Sequence, residues 1–262
     1  MNRIDERFEK LKKENKKALI TFLTVGDPDL DMSEKLILEM EKQGADVIEL
    51  GIPFSDPSAD GPVIQEADNR ALANGVDIYK VFEFMTKIRD KVSVPLVFLL
   101  YYNVVMQYGV EEFFAKCKEV GTDAVIIPDL PYEESGEIAE YTEKYGVYQI
   151  QLVSPTSHER IKAIVENAKG FLYCVSSLGV TGEKTEFHTD FQEFFGTIKK
   201  YTNIPACVGF GISNKEQVSM LKEYCDGVIV GSAIVGAVAK GVTNEEKLNN
   251  LREKVKELKS GL

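Results

Sequence analysis

Apolar runs rich in Val, Ile and Leu alternate with amphipathic helical patterns from one end of this chain to the other. The apolar runs predict strands at residues 18–25, 46–51, 94–102, 123–128, 147–153, 171–176, 205–209 and 226–230. The helical patterns lie at residues 3–15, 32–44, 63–74, 78–90, 110–120, 133–145, 157–168, 188–201, 214–224, 232–239 and 244–258. Continuous apolar runs are typical of strands that are buried on both faces, and strict alternation implies parallel strands joined by right-handed crossovers.

Eight strand–helix units in 262 residues match the size of a (β/α)8 barrel. A doubly wound open sheet is the alternative, but such sheets usually have about five or six units. No linker, low-complexity tract or shift in composition interrupts the pattern. The sequence therefore predicts an α/β protein, a TIM barrel with an extra N-terminal helix, formed as a single domain over residues 1–262.

Charge and cysteine content narrow the classes of function. The formal net charge of −11 disfavours nucleic acid, whose phosphates it would repel. The four cysteines are widely spaced and form no metal-binding motif, so we expect reduced thiols in a cytoplasmic protein and no metal site. The charged N-terminus does not resemble a signal peptide, and no apolar run has the length of a membrane span.

Three carboxylates, Glu49, Asp56 and Asp60, follow one another at the end of the second predicted strand and in the loop after it. In this fold, active sites form where strands end and the following loops begin. Glu49 is expected to point into the barrel mouth while Leu50 faces the helices, and partial desolvation would raise the proton affinity of Glu49. The residues alone leave alternatives open: Glu49 as a buried acid bonded to backbone amides, and Asp60 as an acid at a helix N-terminus.

Three late loops, at residues 179–182, 209–213 and 230–233, are rich in glycine and small hydroxyl residues. The last two follow the seventh and eighth predicted strands and lead into helices, which is the usual phosphate site of such barrels. The alternative is that these glycines only form tight turns. Taken together, the loops favour phosphate binding by backbone amides.

Residues 49–57 read Glu-Leu-Gly-Ile-Pro-Phe-Ser-Asp-Pro, and residues 59–62 read Ala-Asp-Gly-Pro. This stretch resembles the signature of the tryptophan synthase alpha subunit family. The similarity continues at residues 24–28, at residues 129–134 and in the three glycine-rich loops, and so covers essentially the whole chain. Two positions depart from the family pattern, Ser58 in the signature and Ser177 before the loop at 179–182.

The resemblance implies a lyase that cleaves indole-3-glycerol phosphate to indole and glyceraldehyde 3-phosphate by a retro-aldol reaction. It implies that Glu49 is the acid–base residue, that Asp60 binds the indole N–H, and that Thr181 contacts Asp60 when its loop closes. It assigns the remaining substrate contacts to an indole slot, the reacting centre and a phosphate site, at Phe22, Ile64, Leu99, Tyr101, Tyr173, Thr181, Gly182, Phe210, Gly211, Gly231 and Ser232.

The resemblance also implies a partner, a tryptophan synthase beta subunit in an alpha-beta-beta-alpha tetramer. Pyridoxal phosphate is expected only on that beta subunit, and no cofactor on this chain. The implied interface includes Pro53, Asp56, Pro57, Asn103 and Pro131. Two alternative functions are a phosphate-sugar isomerase or epimerase of the same fold, and a non-catalytic subunit that activates a partner.

Overall fold

The structure is a computed structural model that describes residues 1–157, 159–175, 190–209 and 211–262. Its strands are β1 Ala18–Thr24, β2 Val47–Gly51, β3 Leu96–Leu99, β4 Ala124–Ile126, β5 Tyr148–Gln149, β6 Gln151–Val153, β7 Leu172–Val175, β8 Ala206–Gly209 and β9 Gly227–Val230. Its helices are α1 Arg3–Lys13, α2 Leu30–Lys42, α3 Pro62–Ala73, α4 Ile78–Ile88, α5 Tyr102–Tyr108, α6 Val110–Val120, α7 Gly136–Tyr145, α8 Arg160–Glu166, α9 Phe191–Lys199, α10 Lys215–Leu221, α11 Ser232–Ala239 and α12 Asn244–Lys259.

All nine strands of the described residues belong to one parallel sheet with the order β5-β4-β3-β2-β1-β9-β8-β7-β6. The two ends of this order, β5 and β6, are consecutive segments separated only by Ile150. The sheet therefore curls into a nearly closed barrel, and the predicted TIM-barrel fold is confirmed, with α1 as the extra N-terminal helix.

Two local predictions were wrong. The fifth strand was predicted as one run, but it is divided at Ile150 into β5 and β6. The N–H of Ile150 donates to the carbonyl oxygen of Val125 in β4. The third strand was predicted to reach residue 102, but it ends at Leu99, and α5 follows it. The carboxylate of Asp129, from the next loop, accepts the N–H of Tyr102 at 2.9 Å and caps that helix. This bond between distant residues favours a helix at a position where two adjacent tyrosines favour a strand.

The core has two layers. Alternate strand residues that point outward pack beneath the helices, and Leu50 belongs to this layer. Residues that point inward fill the barrel, and Ile4, Phe8 and Leu11 of α1 pack against them. Since α1 covers the N-terminal ends of the strands, the opposite end of the barrel is where a site can open. Among the described residues, no helix has the length and apolar character needed to cross a bilayer.

Candidate active site

Glu49 lies near the carboxyl end of β2 and points into the barrel, as predicted from its position. It is paired in register with Phe22 of β1 on one side and Val97 of β3 on the other. Only 1% of Glu49 is exposed. Strand alternation directs Glu49 inward because the neighbouring apolar residues Ile48 and Leu50 pack under the helices.

The carboxyl group of Glu49 is buried near the carboxyl end of β2. Its Oε1 atom makes no hydrogen bond to any residue that the structure describes. Burial raises the pKa of Glu49 to about 8 from its ordinary value of 4.5. The alternative interpretation was an acid bonded to backbone amides. It does not fit, because Oε1 accepts no N–H from the described residues. At neutral pH Glu49 is mainly protonated and can donate a proton.

Asp60 is held by a tyrosine from the next strand–helix unit. The hydroxyl of Tyr101 donates to Oδ2 of Asp60 at 2.7 Å, and the N–H of Ala59 donates to the same hydroxyl oxygen at 2.9 Å. The ring of Tyr101 stacks on Phe54 with 5.2 Å between ring centroids. Burial, followed by the charge of Asp60, raises the pKa of Tyr101, so the phenol stays protonated and continues to donate. The carboxylate is thereby fixed at the cavity wall.

One cavity at the barrel mouth gathers most of the predicted substrate contacts. Nine of its lining residues were named from the sequence: Phe22, Glu49, Asp60, Ile64, Leu99, Tyr173, Gly211, Gly231 and Ser232. Ile212 and Ile229 also line the cavity and were not predicted, although Ile212 follows the apolar run of β8 and Ile229 belongs to that of β9. Tyr101 is not among the lining residues and contacts the cavity through Asp60. The arrangement combines apolar walls, two carboxyl groups and a glycine-rich end.

Two glycines leave room for the large side chains of this cavity. A Cβ atom on Gly51 would lie 2.5 Å from the ring of Phe22, and one on Gly209 would lie 2.8 Å from the ring of Tyr173. Both distances are too short for any other residue without movement of the rings. The buried Tyr173 has a raised pKa, first from burial and then from the charges of Glu49 and Asp60, so its hydroxyl remains protonated.

The helices that follow β8 and β9 differ in their free N-terminal amides. In α10 the side chain of Asn214 caps the helix by accepting the N–H of Gln217. In α11 the position before Ser232 is Gly231, which has no side chain to cap the helix. Since Gly231 and Ser232 line the cavity, the N-terminus of α11 offers backbone N–H groups and a positive dipole end to an anion.

Asp68 was missed by the sequence analysis and lies beside this site. It is a buried residue of α3, on the same face as Ile64, Ala67 and Ala71. Thr24 donates its hydroxyl to Oδ1 of Asp68 at 3.1 Å. The sequence did indicate a buried position, because residue 68 lies four residues after Ile64 and so falls on the same apolar face of the helix.

Some predicted residues lie elsewhere. Thr181, Gly182 and Phe210, with the departure at Ser177, fall outside the described residues. Of the predicted partner-facing residues, Asp56, Asn103 and Pro131 are exposed, whereas Pro53 and Pro57 are buried and shape the loop. Within the part of the chain that the structure describes, no group of three or more His, Cys, Asp or Glu side chains is arranged to hold a metal ion.

Comparison with known proteins gives a consistent match. A family model described as tryptophan synthase alpha chain matches residues 8–262. The tryptophan synthase alpha chain of Thermoanaerobacter sp. (strain X514) is 52% identical over 262 residues, which is 100% of both chains. The tryptophan synthase alpha chain of Clostridium kluyveri is 46% identical over 262 residues, again 100% of both chains.

Solved structures agree with the sequence match. Tryptophan synthase subunit alpha from Legionella pneumophila is 35% identical and superimposes with a TM-score of 0.89, covering 100% of this chain and 98% of that one. A chain of Mycobacterium tuberculosis tryptophan synthase is 34% identical with a TM-score of 0.90, covering 99% of this chain and 98% of that one.

Proposed function

Because the chain belongs to the tryptophan synthase alpha chain family, we propose that Glu49 and Asp60 carry out the family's reaction in this barrel. That reaction is the retro-aldol cleavage of indole-3-glycerol phosphate to indole and glyceraldehyde 3-phosphate in tryptophan biosynthesis, and the chain is a lyase. The observation that carries the residue assignment is a buried carboxyl group at the barrel mouth, protonated near neutral pH. The membership favours the lyase over the isomerase and the non-catalytic alternatives.

Glu49 would act first as an acid and then as a base. Its carboxyl group donates a proton to C3 of the indole ring, which becomes positively charged. The resulting carboxylate then takes the proton of the hydroxyl on the adjacent glycerol carbon. As that oxygen becomes a carbonyl oxygen, the carbon–carbon bond breaks and its electron pair returns to the ring. Glu49 ends protonated again, so it is ready for the next turnover.

Asp60 would stabilise the charge that appears in the ring. Protonation at C3 places positive charge on the ring nitrogen, whose N–H can donate to the Asp60 carboxylate. The Tyr101 hydroxyl fixes that carboxylate in position. An oriented negative charge in a poorly solvated site lowers the energy of the cationic intermediate more than that of the neutral substrate.

The remaining cavity residues would bind the two ends of the substrate. Phe22, Ile64 and Leu99 form apolar walls that suit a planar indole ring. The phosphate would lie against Gly211, Gly231 and Ser232, at the uncapped N-terminus of α11. Tyr173 lies near Glu49 and would donate its hydroxyl close to the reacting carbon. Thr181, Gly182 and Phe210 keep their proposed roles in this site.

A beta-subunit partner follows from the family, and an alpha-beta-beta-alpha tetramer is proposed here. The exposed residues Asp56 and Pro131 lie on loops, and the exposed Asn103 lies in the first turn of α5. All three are at the same barrel end as the cavity, which supports a contact that passes indole onward. Pro53 and Pro57 would support that surface from below. Pyridoxal phosphate is assigned to the beta subunit, since the steps proposed for this chain need only proton transfers.

The same proposal includes one domain over residues 1–262 and a cytoplasmic location. The single sheet that takes in every described strand supports the first. The four free, buried cysteines support the second.

The assignment of Glu49 is tested with Glu49→Gln, which keeps the shape of the side chain but cannot exchange a proton at neutral pH. We expect indole release to fall by at least about a thousandfold, within the range of a lost general acid. The measurement is indole formation from indole-3-glycerol phosphate, with circular dichroism as a check of folding. Glu66→Gln, an exposed acid on α3, is the matched control. Substantial turnover by Glu49→Gln would remove Glu49 from the mechanism.

A further inference from the structure

Asp68 takes no part in the proton transfers described above, yet its carboxyl group connects three elements around the site. It extends from α3 to the end of β1, where Thr24 donates a hydroxyl to its Oδ1 atom at 3.1 Å. The backbone N–H of Phe54, at the start of the loop after β2, also lies near the carboxyl group and favours its ionised form. Thr24 and Asp68 are both buried, with exposed fractions of 1% and 4%.

A continuous set of contacts leads from Asp68 to Asp60. Phe54 stacks on the ring of Tyr101. The hydroxyl of Tyr101 then bonds to Asp60 and to the N–H of Ala59. The Asp68 carboxyl group therefore lies beside the beginning of the loop, at Phe54. The end of the same loop carries Asp60, the proposed ring anchor that accepts the indole N–H.

The surroundings of Asp68 favour its neutral form. Burial and then the charge of Asp60 raise the pKa of Asp68 to about 7, and the hydrogen bond from Thr24 and the nearby backbone N–H of Phe54 oppose this rise. Asp27 adds a smaller repulsion, because its carboxylate is paired with Arg70 at 2.7 and 2.9 Å. Within the described residues, no basic side chain forms an ion pair with Asp68. The neighbouring Tyr101 is a neutral phenol.

We propose that Asp68 is a positioning residue for the proposed reaction: its uncharged form holds the loop at residues 54–60 so that Asp60 meets the indole N–H, and its ionised form repels Asp60 and displaces that loop. The proposal rests on the assignment of Asp60 as the ring anchor. It adds a protonation event that is separate from Glu49, in a group that does not contact substrate.

Two substitutions separate the charge of Asp68 from its hydrogen bonds. Asp68→Asn keeps the shape and an acceptor oxygen for Thr24 and Phe54 but never ionises. Asp68→Ala removes both the charge and the acceptor. Glu66→Gln removes a charge from the exposed side of the same helix and serves as the matched control.

The experiment measures kcat and KM for indole release from pH 5.5 to 9 in the wild-type chain and the three variants. Glu49 is common to all of them, so its titration cancels in the ratio of kcat/KM for Asp68→Asn to wild type. We expect that ratio to be near one below about pH 6 and to rise roughly threefold to tenfold above about pH 8. The size follows because an interaction that shifts a pKa by about one unit changes an equilibrium constant about tenfold.

Binding of 3-indolylpropyl phosphate, which lacks the reacting hydroxyl groups, gives a second readout. We expect Asp68→Ala to weaken this binding and to raise KM at every pH, and Asp68→Asn to restore both below about pH 6. A ratio for Asp68→Asn that stays flat across the pH range overturns the proposal, whether or not Asp68→Ala folds. Absence of indole release by the wild-type chain would instead refute the proposed function, and the role of Asp68 with it.

Discussion

At the residue scale, the site contains buried carboxyl groups that differ in their hydrogen-bond partners. Oε1 of Glu49 has no partner among the described residues, whereas Asp60 accepts the hydroxyl of Tyr101. The first environment favours a protonated acid, and the second holds an oriented acceptor. Two acids of similar intrinsic strength are thus suited to the different roles proposed for them, because their neighbours differ.

The raised pKa of Glu49 makes stability depend on pH. The folded chain retains the Glu49 proton up to about pH 8, while the unfolded chain loses it near its ordinary value of 4.5. The free energy of unfolding therefore decreases as pH rises through this window and then levels off. Glu49→Gln removes this loss because an amide does not ionise.

We accordingly expect the melting temperature of Glu49→Gln to exceed that of wild type by several degrees at pH 8 and by little at pH 4.5. Thermal unfolding followed by circular dichroism at both pH values measures the difference. Glu66→Gln should show no such change between the two pH values. An equal difference for Glu49→Gln at pH 4.5 and pH 8 would contradict the raised pKa.

At the element scale, the loop between β2 and α3 has an inner and an outer side. Its inner side carries Asp60 into the cavity, and its outer side exposes Asp56 to solvent. Of the three carboxylates that the sequence groups together at the end of β2, only Glu49 and Asp60 line the cavity. The direction of each side chain in the loop decides which chemistry is open to it.

Asp56→Asn is expected to separate partner binding from catalysis. Indole release by the isolated chain should be unchanged, because Asp56 does not line the cavity. The concentration of beta subunit needed for half-maximal stimulation should rise roughly threefold to tenfold, since removing a charge at the rim of an interface mainly slows association. Titration of the chain with beta subunit measures both quantities. Unchanged stimulation would exclude Asp56 from the contact.

At the scale of the whole molecule, the two ends of the barrel have separate tasks. The carboxyl ends of the strands carry the cavity, and α1 covers the amino ends. Phe8 of α1 packs on Phe171 of the inner layer with 5.8 Å between ring centroids. Packing at this end stabilises the barrel without touching the site.

Phe8→Ala tests this division. We expect the free energy of unfolding to fall by about 3 kcal/mol or more, the usual cost of truncating a buried phenylalanine. The kcat for indole release should stay within about twofold of wild type at a temperature where the variant is folded. Urea unfolding and the indole assay provide the two values. A large loss of kcat in the folded variant would show that the two ends of the barrel are coupled.

The sequence alone determined the barrel, because continuous apolar strands and amphipathic helices leave few ways to bury both faces of a parallel sheet. It also predicted that Glu49 points into the barrel, since strand alternation directs that side chain inward, and it predicted glycine-rich segments at the ends of the last two strands. These features depend on local periodicity, which can be read directly from the chain.

Only the tertiary structure decided the rest. The end of β3 depends on Asp129, and the fixing of Asp60 depends on Tyr101 from another strand–helix unit. The surroundings of the Asp68 carboxyl group include Thr24 and Phe54, which belong to other segments of the chain. Burial and charge at these positions come from contacts between distant segments, and a pattern along the chain does not specify which distant groups meet.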